Sequence, residues 1–235
     1  MSRRPKESPL LNGPLPRPAG RRHSAPSLGA RRNARRRLSG VAVLVLLFSM
    51  PALAKSPPRA VSVTDNSFRC ITDMTRVGHL YVDNLAGNLK GTVAVAKSPT
   101  GGSYPVGSVL QLLPTEAMVK REQGFSPATM DWEFFDLDVD RNGTRIWSRG
   151  VIEENNRFGG NCFACHAKAR PEWDLVCEEG HGCDPKPVTR AMSGALQRTD
   201  PRCRPEKPVS AEDALALKQL AVLLRAMKAA NATNQ

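Results

Sequence analysis

The chain has 235 residues and a formal net charge of +12, with 34 lysines and arginines against 22 acids. Residues 1–54 alone carry eleven of those bases against one acid, Glu7, and the rest of the chain is close to neutral. The basic balance therefore belongs to a leader, and the main electrostatic argument for a nucleic-acid partner is lost.

That leader reads as a secretory signal. "RRNARRRLSG" is a positive n-region and "VAVLVLLFSM" an apolar run of ten residues, followed by Ala52-x-Ala54 in "PALAKS". The run falls short of the roughly 20 apolar residues that cross a bilayer, so cleavage after Ala54 and a periplasmic protein are expected, with a retained membrane anchor as the alternative. Residues 55–64 read as an extended, proline-containing linker, and 65–235 as one domain.

From about 65 to 155 the pattern is mostly strand-like, with a short helical patch at 76–86 ("RVGHLYVDNLA"). "GTVAVAKS" (91–98) and "GSVLQLL" (107–113) are short apolar runs bounded by Gly, Pro and Ser, and both read as strands. In "DWEFFDLDVDRNGTRIWSRGVIEE" Phe135, Leu137 and Val139 alternate with Asp136, Asp138 and Asp140. Asn142-Gly143 then supplies a type I′ hairpin turn. The aspartates mimic a calcium loop, which needs glycine at its sixth position; Arg141 stands there, and a solvated strand face is the reading.

Next comes "FGGNCFACHAKA", with Cys162-Phe163-Ala164-Cys165-His166 inside it. C-x-x-C-H is the attachment signature of c-type haem. Two thiols a helical turn apart can each add to one vinyl group of a porphyrin, and the following residue supplies an imidazole to the iron. With six cysteines and four histidines, chance gives about 0.003 such motifs in a chain of this length. The alternatives are a zinc site using Cys162, Cys165, Cys177 and Cys183, a thioredoxin-like redox pair, and cysteines paired elsewhere. The other four cysteines allow three connectivities. Cys177 and Cys183 bracket the short loop "EEGHG", which leaves Cys70 for Cys203. At the C-terminus Ser210 and Asp213 signal a capping box. Leu215, Leu217, Leu220, Leu223, Leu224 and Met227 then mark an amphipathic helix over about 211–230 that covers the core.

The expected class is α+β: a mainly antiparallel sheet carrying the haem, short helices at the motif, and the C-terminal amphipathic helix. Small all-helical cytochromes c place the motif near the mature N-terminus, and four-helix cytochromes have helical sequence upstream. Neither pattern fits a motif that follows a β region.

"YPVGSVLQLL" (104–113), read as an aromatic-Pro-x-Gly opening of a strand, together with "FGGNCFACHAKA", resembles the cytochrome P-460 family and its relatives, the β-type cytochromes c′. The resemblance covers roughly 65–175. It implies one haem c per chain, a sheet-rich and often dimeric protein (a homodimer), His166 as proximal iron ligand, and a far side open to small nitrogen ligands such as nitric oxide or hydroxylamine. Family members that oxidise hydroxylamine carry a lysine cross-linked to the porphyrin just before the aromatic-Pro-x-Gly stretch. Here that position is Ser103; Lys97 and Lys120 flank the strand without matching it, so an uncross-linked haem is expected.

For the sixth iron position Met192 and His181 are the candidates, ahead of His79, Met74, Met118, Met130 and Met227. Methionine there would raise the potential and suit electron transfer; an open position would suit ligand chemistry. Arg157 is a candidate donor to a bound anion or a haem propionate, with a surface salt bridge as its other reading. The functional expectation is an exported mono-haem cytochrome with a redox partner protein, binding small nitrogen ligands, transferring electrons, or both. The alternatives are a six-coordinate electron carrier and a disulfide-stapled binding domain without haem.

Overall fold

Side chains alternate across neighbouring strands to build two apolar layers on one sheet. Tyr81, Val109, Val119 and Phe135 fall on one face, Val82, Leu110, Met118 and Phe134 on the other. In the computed structural model, which describes residues 60–157, 159–204 and 208–233, the strands are β1 (Thr75–Val77), β2 (Leu80–Asn84), β3 (Ser108–Gln111), β4 (Glu116–Lys120), β5 (Trp132–Asp140) and β6 (Gly143–Gly150). They form a six-stranded antiparallel sheet in chain order. Four α-helices accompany it among the described residues: α1 (Leu89–Ala96), α2 (Cys162–His166), α3 (Arg190–Arg198) and α4 (Ala211–Thr233). The architecture is α+β, as expected. The signal-peptide reading and the linker as far as 59 lie outside the described residues.

Both faces of the sheet are covered, which is why β5 carries consecutive buried phenylalanines, Phe134 and Phe135. On one face the segment 61–74 lies across Val109, Val119, Phe135 and Leu137. Its register is fixed by the Cys70–Cys203 disulfide and by Asp200, which accepts from the Ile71 amide at 2.9 Å. Val61 and Val63, read as linker, are buried there. On the other face Leu89 and Val93 of α1, with Leu175, Val176, Cys162 and Phe163, pack on Val82, Leu110, Met118 and Phe134.

Three local expectations are corrected. The patch 76–86 is the β1–β2 hairpin, turning at Gly78 and His79, with Leu80 and Val82 facing one layer and Tyr81 the other. "GTVAVAKS" lies in a helix: Asn88 caps α1 by accepting from the Gly91 amide at 3.1 Å. Buried Thr92 is pinned to Asn84 Nδ2 and Ser108 Oγ at 3.0 and 2.7 Å. Tertiary hydrogen bonds there override weak helix propensity. The β5–β6 hairpin turns at Arg141–Asn142, because Asp140 pairs with Gly143. Asp140 Oδ1 accepts the Asn142 amide at 2.6 Å, an Asx turn in place of type I′.

At the C-terminal end, Gln197 Nε2 of α3 donates to the His79 and Leu112 carbonyls at 3.0 and 2.8 Å. Ser210 Oγ caps α4 by accepting from the Asp213 amide at 3.0 Å. The Asp213 carboxylate turns to Arg198 of α3, so the reciprocal half of the capping box is replaced by an interhelical ion pair. Asp213, Ala216 and Leu220 are buried in α4, whereas Leu215, placed in the apolar stripe by sequence, is exposed. No described helix is long and apolar enough to cross a membrane.

Candidate functional site

A tight loop after β6 delivers the C-x-x-C-H motif to the sheet. Cys162 N donates to the Glu154 carbonyl at 2.9 Å, and Asn155 bridges to Asn161. Asn161 caps α2, its Oδ1 accepting from Ala164 N at 2.7 Å while its Nδ2 donates to the Ile152 carbonyl at 2.9 Å. α2 is one short turn, and its burial is one-sided. Cys162 and Phe163 pack into the Val82–Phe134 layer, whereas Ala164 and Cys165 are exposed.

Cys162 and Cys165 are both free thiols, while the other four cysteines pair as Cys70–Cys203 and Cys177–Cys183, the connectivity expected. Cys177 Sγ lies 3.8 Å from the Cys165 carbonyl oxygen, so the small disulfide loop sits against α2. This pairing takes two of the four ligands from the zinc alternative. Among the described residues, the single cluster with metal-ligand spacing is Cys70, Asp200 and Cys203, whose sulfurs are bonded to each other. Burial, then the charges of Glu116, Glu154 and Asp136, push the Cys162 thiol up to about 12. A redox-active C-x-x-C instead needs a thiolate of depressed pKa.

His166 is held from two sides. Its Nδ1 lies 2.7 Å from the Leu175 carbonyl oxygen, and its ring packs on Phe134 with centroids 5.2 Å apart. Burial pushes its pKa below the ordinary value, partly offset by the Leu175 hydrogen bond. A neutral imidazole that donates through Nδ1 keeps a lone pair on Nε2, the state in which histidine ligates iron. The donor set (two free thiols a turn apart and this imidazole) fits covalent haem c.

The carbonyl that holds His166 is itself fixed. Asp174 and Leu175 have φ of 50° and 61°, left-handed values uncommon outside glycine. The Asp174 carboxylate, buried, accepts from Lys120 Nζ at 2.7 and 2.8 Å and from the Tyr104 amide at 2.7 Å. Its carbonyl accepts from Trp132 Nε1 at 2.8 Å. The sequence reading missed Asp174 and placed Lys120 only as a flanking residue. The one available signal was a lone lysine ending an apolar strand.

Asp136, read as part of a solvated strand face, is buried and faces the motif loop. It takes Arg157 Nε at 2.7 Å and the Arg157 amide at 2.5 Å, and Arg157 reaches Asp138 at 3.1 Å as well. Arg157 thus ties the loop to β5, the salt-bridge reading of that residue. Beside this pair, across the β4–β5 register, Glu116 is pushed above the ordinary carboxyl range by burial and by Asp136; Asn156 Nδ2 donates to it at 3.1 Å.

The sixth-position candidates fall in different settings. His181 stacks on Trp173 with ring centroids 3.7 Å apart, and its Nδ1 lies 2.6 Å from the Val176 carbonyl oxygen. Met192 is buried at the start of α3. Met118, ranked lower by sequence, stands directly across from Phe134 in the layer that His166 touches. Ser103 is exposed and lines a cavity of about 650 Å³ shared with Tyr104, Lys120 and Asp174.

Comparison of the chain with family models, curated proteins and solved structures gives no match.

Proposed function

We propose that the chain is an exported mono-haem c-type cytochrome, with the porphyrin joined to Cys162 and Cys165 and the iron held by His166. The observation that carries this reading is one juxtaposition. The two free thiols of a six-cysteine chain flank a helical turn whose next residue, His166, has Nδ1 engaged by Leu175 and Nε2 left as a lone-pair donor. When bound, haem c supplies an iron that changes oxidation state and takes exogenous ligands. The chain's own residues orient the imidazole, keep it neutral and pack apolar side chains about it.

The reading includes likeness to the cytochrome P-460 and β-type cytochrome c′ group, resting on "YPVGSVLQLL" and the motif. It places the protein in a periplasm with a redox partner, as an oxidoreductase of small nitrogen compounds or as a carrier. Two features favour a haem without an additional lysine bond. Ser103 stands where that group carries its cross-linking lysine, and Lys120 Nζ is committed to Asp174 in the interior. Ligand binding and one-electron transfer need no such bond.

Co-expression with haem-attachment machinery tests the assignment. A red protein with one haem per chain supports it, and a colourless folded protein favours the disulfide-stapled binding domain. Spectra with and without nitric oxide then separate an open iron from a six-coordinate carrier, since a saturated iron resists the added ligand.

A further inference from the structure

We infer that Asp174, clamped by Lys120, is a positioning residue that sets how strongly His166 donates to the iron; this rests on the haem reading above. The pair is odd as a stabilising device. Both side chains are almost wholly buried, at 8% and 6% exposure, and a buried ion pair contributes little net stability over apolar residues of similar volume. What it does achieve is geometric. Lys120 ends β4, where it pairs across to Trp132 at the start of β5. The ammonium therefore comes from the rigid sheet, and it also lies 5.0 Å from the centroid of the Trp132 ring. Asp174 is gripped at its carboxylate by Lys120 and by the Tyr104 amide, and at its carbonyl by Trp132 Nε1. Three separate groups thus hold one residue.

That residue has left-handed backbone, as does Leu175 after it. Successive left-handed residues without glycine persist where their surroundings over-determine them, and such strain gathers at functional sites. Here the product of the strain is the direction of one carbonyl, that of Leu175, which sits 2.7 Å from His166 Nδ1. A hydrogen bond from the non-ligating imidazole nitrogen fixes the ring and makes the other nitrogen a stronger donor. A stronger donor favours ferric over ferrous iron and lowers the reduction potential. The chain of cause thus runs from Lys120 through Asp174 and Leu175 to His166.

The test is the reduction potential and electronic spectrum of the haem-loaded protein. The main variant is the pair Lys120→Met with Asp174→Asn, which removes both charges together and leaves neither stranded. A raised potential at full haem content is expected, with Lys120→Arg, which keeps the charge pair, staying near the parent. The same readings are taken on Asp174→Glu, which shifts the carboxylate by one methylene and serves where the pair variant does not fold. Arg198→Ala with Asp213→Ala, an ion pair between α3 and α4, lowers the melting temperature without moving the potential. Pair and Asp174→Glu variants that keep the parent potential and spectrum overturn the positioning role while leaving the haem assignment intact. A parent chain that binds no haem overturns both.

Discussion

His166 Nδ1 stands 2.7 Å from the carbonyl oxygen of Leu175, nine residues further along the chain. The contact closes the segment after α2 into a loop that Lys120 of β4 ties to the sheet through Asp174. Replacing His166 with Ala removes the donor to that carbonyl and the proposed iron ligand in one step. The expected result is loss of normal haem attachment, or a weakly held haem with altered spectra in both oxidation states. Retention of the parent spectrum would remove His166 from the site.

The loop 98–104 is locked to the segment that carries Asp174. Gly102 N donates to the Glu172 carbonyl at 2.8 Å, and a Cβ on Gly101 (φ +76°) would lie 2.0 Å from that same oxygen. Gly101→Ala should cost about 3 kcal/mol, from left-handed strain together with a backbone collision. Gly124 (φ +88°) has open space around it, so Gly124→Ala should cost only the backbone part, about 1 kcal/mol. Urea unfolding of the two variants checks the difference; equal losses would mean the 98–104 contact is not formed.

The two disulfides close loops of very different length, with sequence separations of 133 and 6. On the chain-entropy model, replacing Cys70 and Cys203 by Ser should cost about 5 kcal/mol, and replacing Cys177 and Cys183 about 2 kcal/mol. The first figure is comparable to the whole stability of a small domain, so the Cys70–Cys203 variant should be largely unfolded at 37 °C. Denaturant midpoints decide it. A larger loss from the six-residue loop would show that its contact with Cys165 matters more than chain entropy.

Glu116 is the carboxyl whose pKa is raised, by burial first and by Asp136 second. A carboxyl with a folded pKa above its unfolded value binds more protons when folded. Stability therefore falls as pH rises from the ordinary carboxyl value of 4.5 through the raised one, and the penalty is fully present above it. Glu116→Gln should stabilise the protein at neutral pH, keep an acceptor for Asn156, and lose its advantage below about pH 4. Thermal unfolding of both proteins from pH 4 to 8 measures this; a variant less stable than the parent at pH 7 would contradict it.

Much of the architecture was legible where one periodicity acted alone. "DWEFFDLDVD" alternates and is a strand, and Leu220 with its neighbours keeps the helical period and is a helix. The readings failed where tertiary partners decide. Thr92 and Val93 look β-forming, yet Asn84, Asn88 and Ser108 hold them in a helix. Asp136 looks solvated, yet Arg157, from a loop 21 residues later, covers it. At the site, the C-x-x-C-H motif was plain because its spacing is local. The Lys120–Asp174 clamp was not, because its partners are 54 residues apart and no pattern links a strand-end lysine to an aspartate in a loop.

On the proposed function, a covalent haem sits at Cys162 and Cys165 with no bond to lysine. Tryptic mass spectrometry of the protein, produced in a periplasm with haem-attachment machinery, tests it most directly. The expected result is one haem mass on the peptide spanning Cys162 to His166 and on no other peptide. Unmodified thiols at Cys162 and Cys165 would contradict the attachment itself, and a haem peptide bridged to that of Lys97 or Lys120 would contradict the uncross-linked porphyrin.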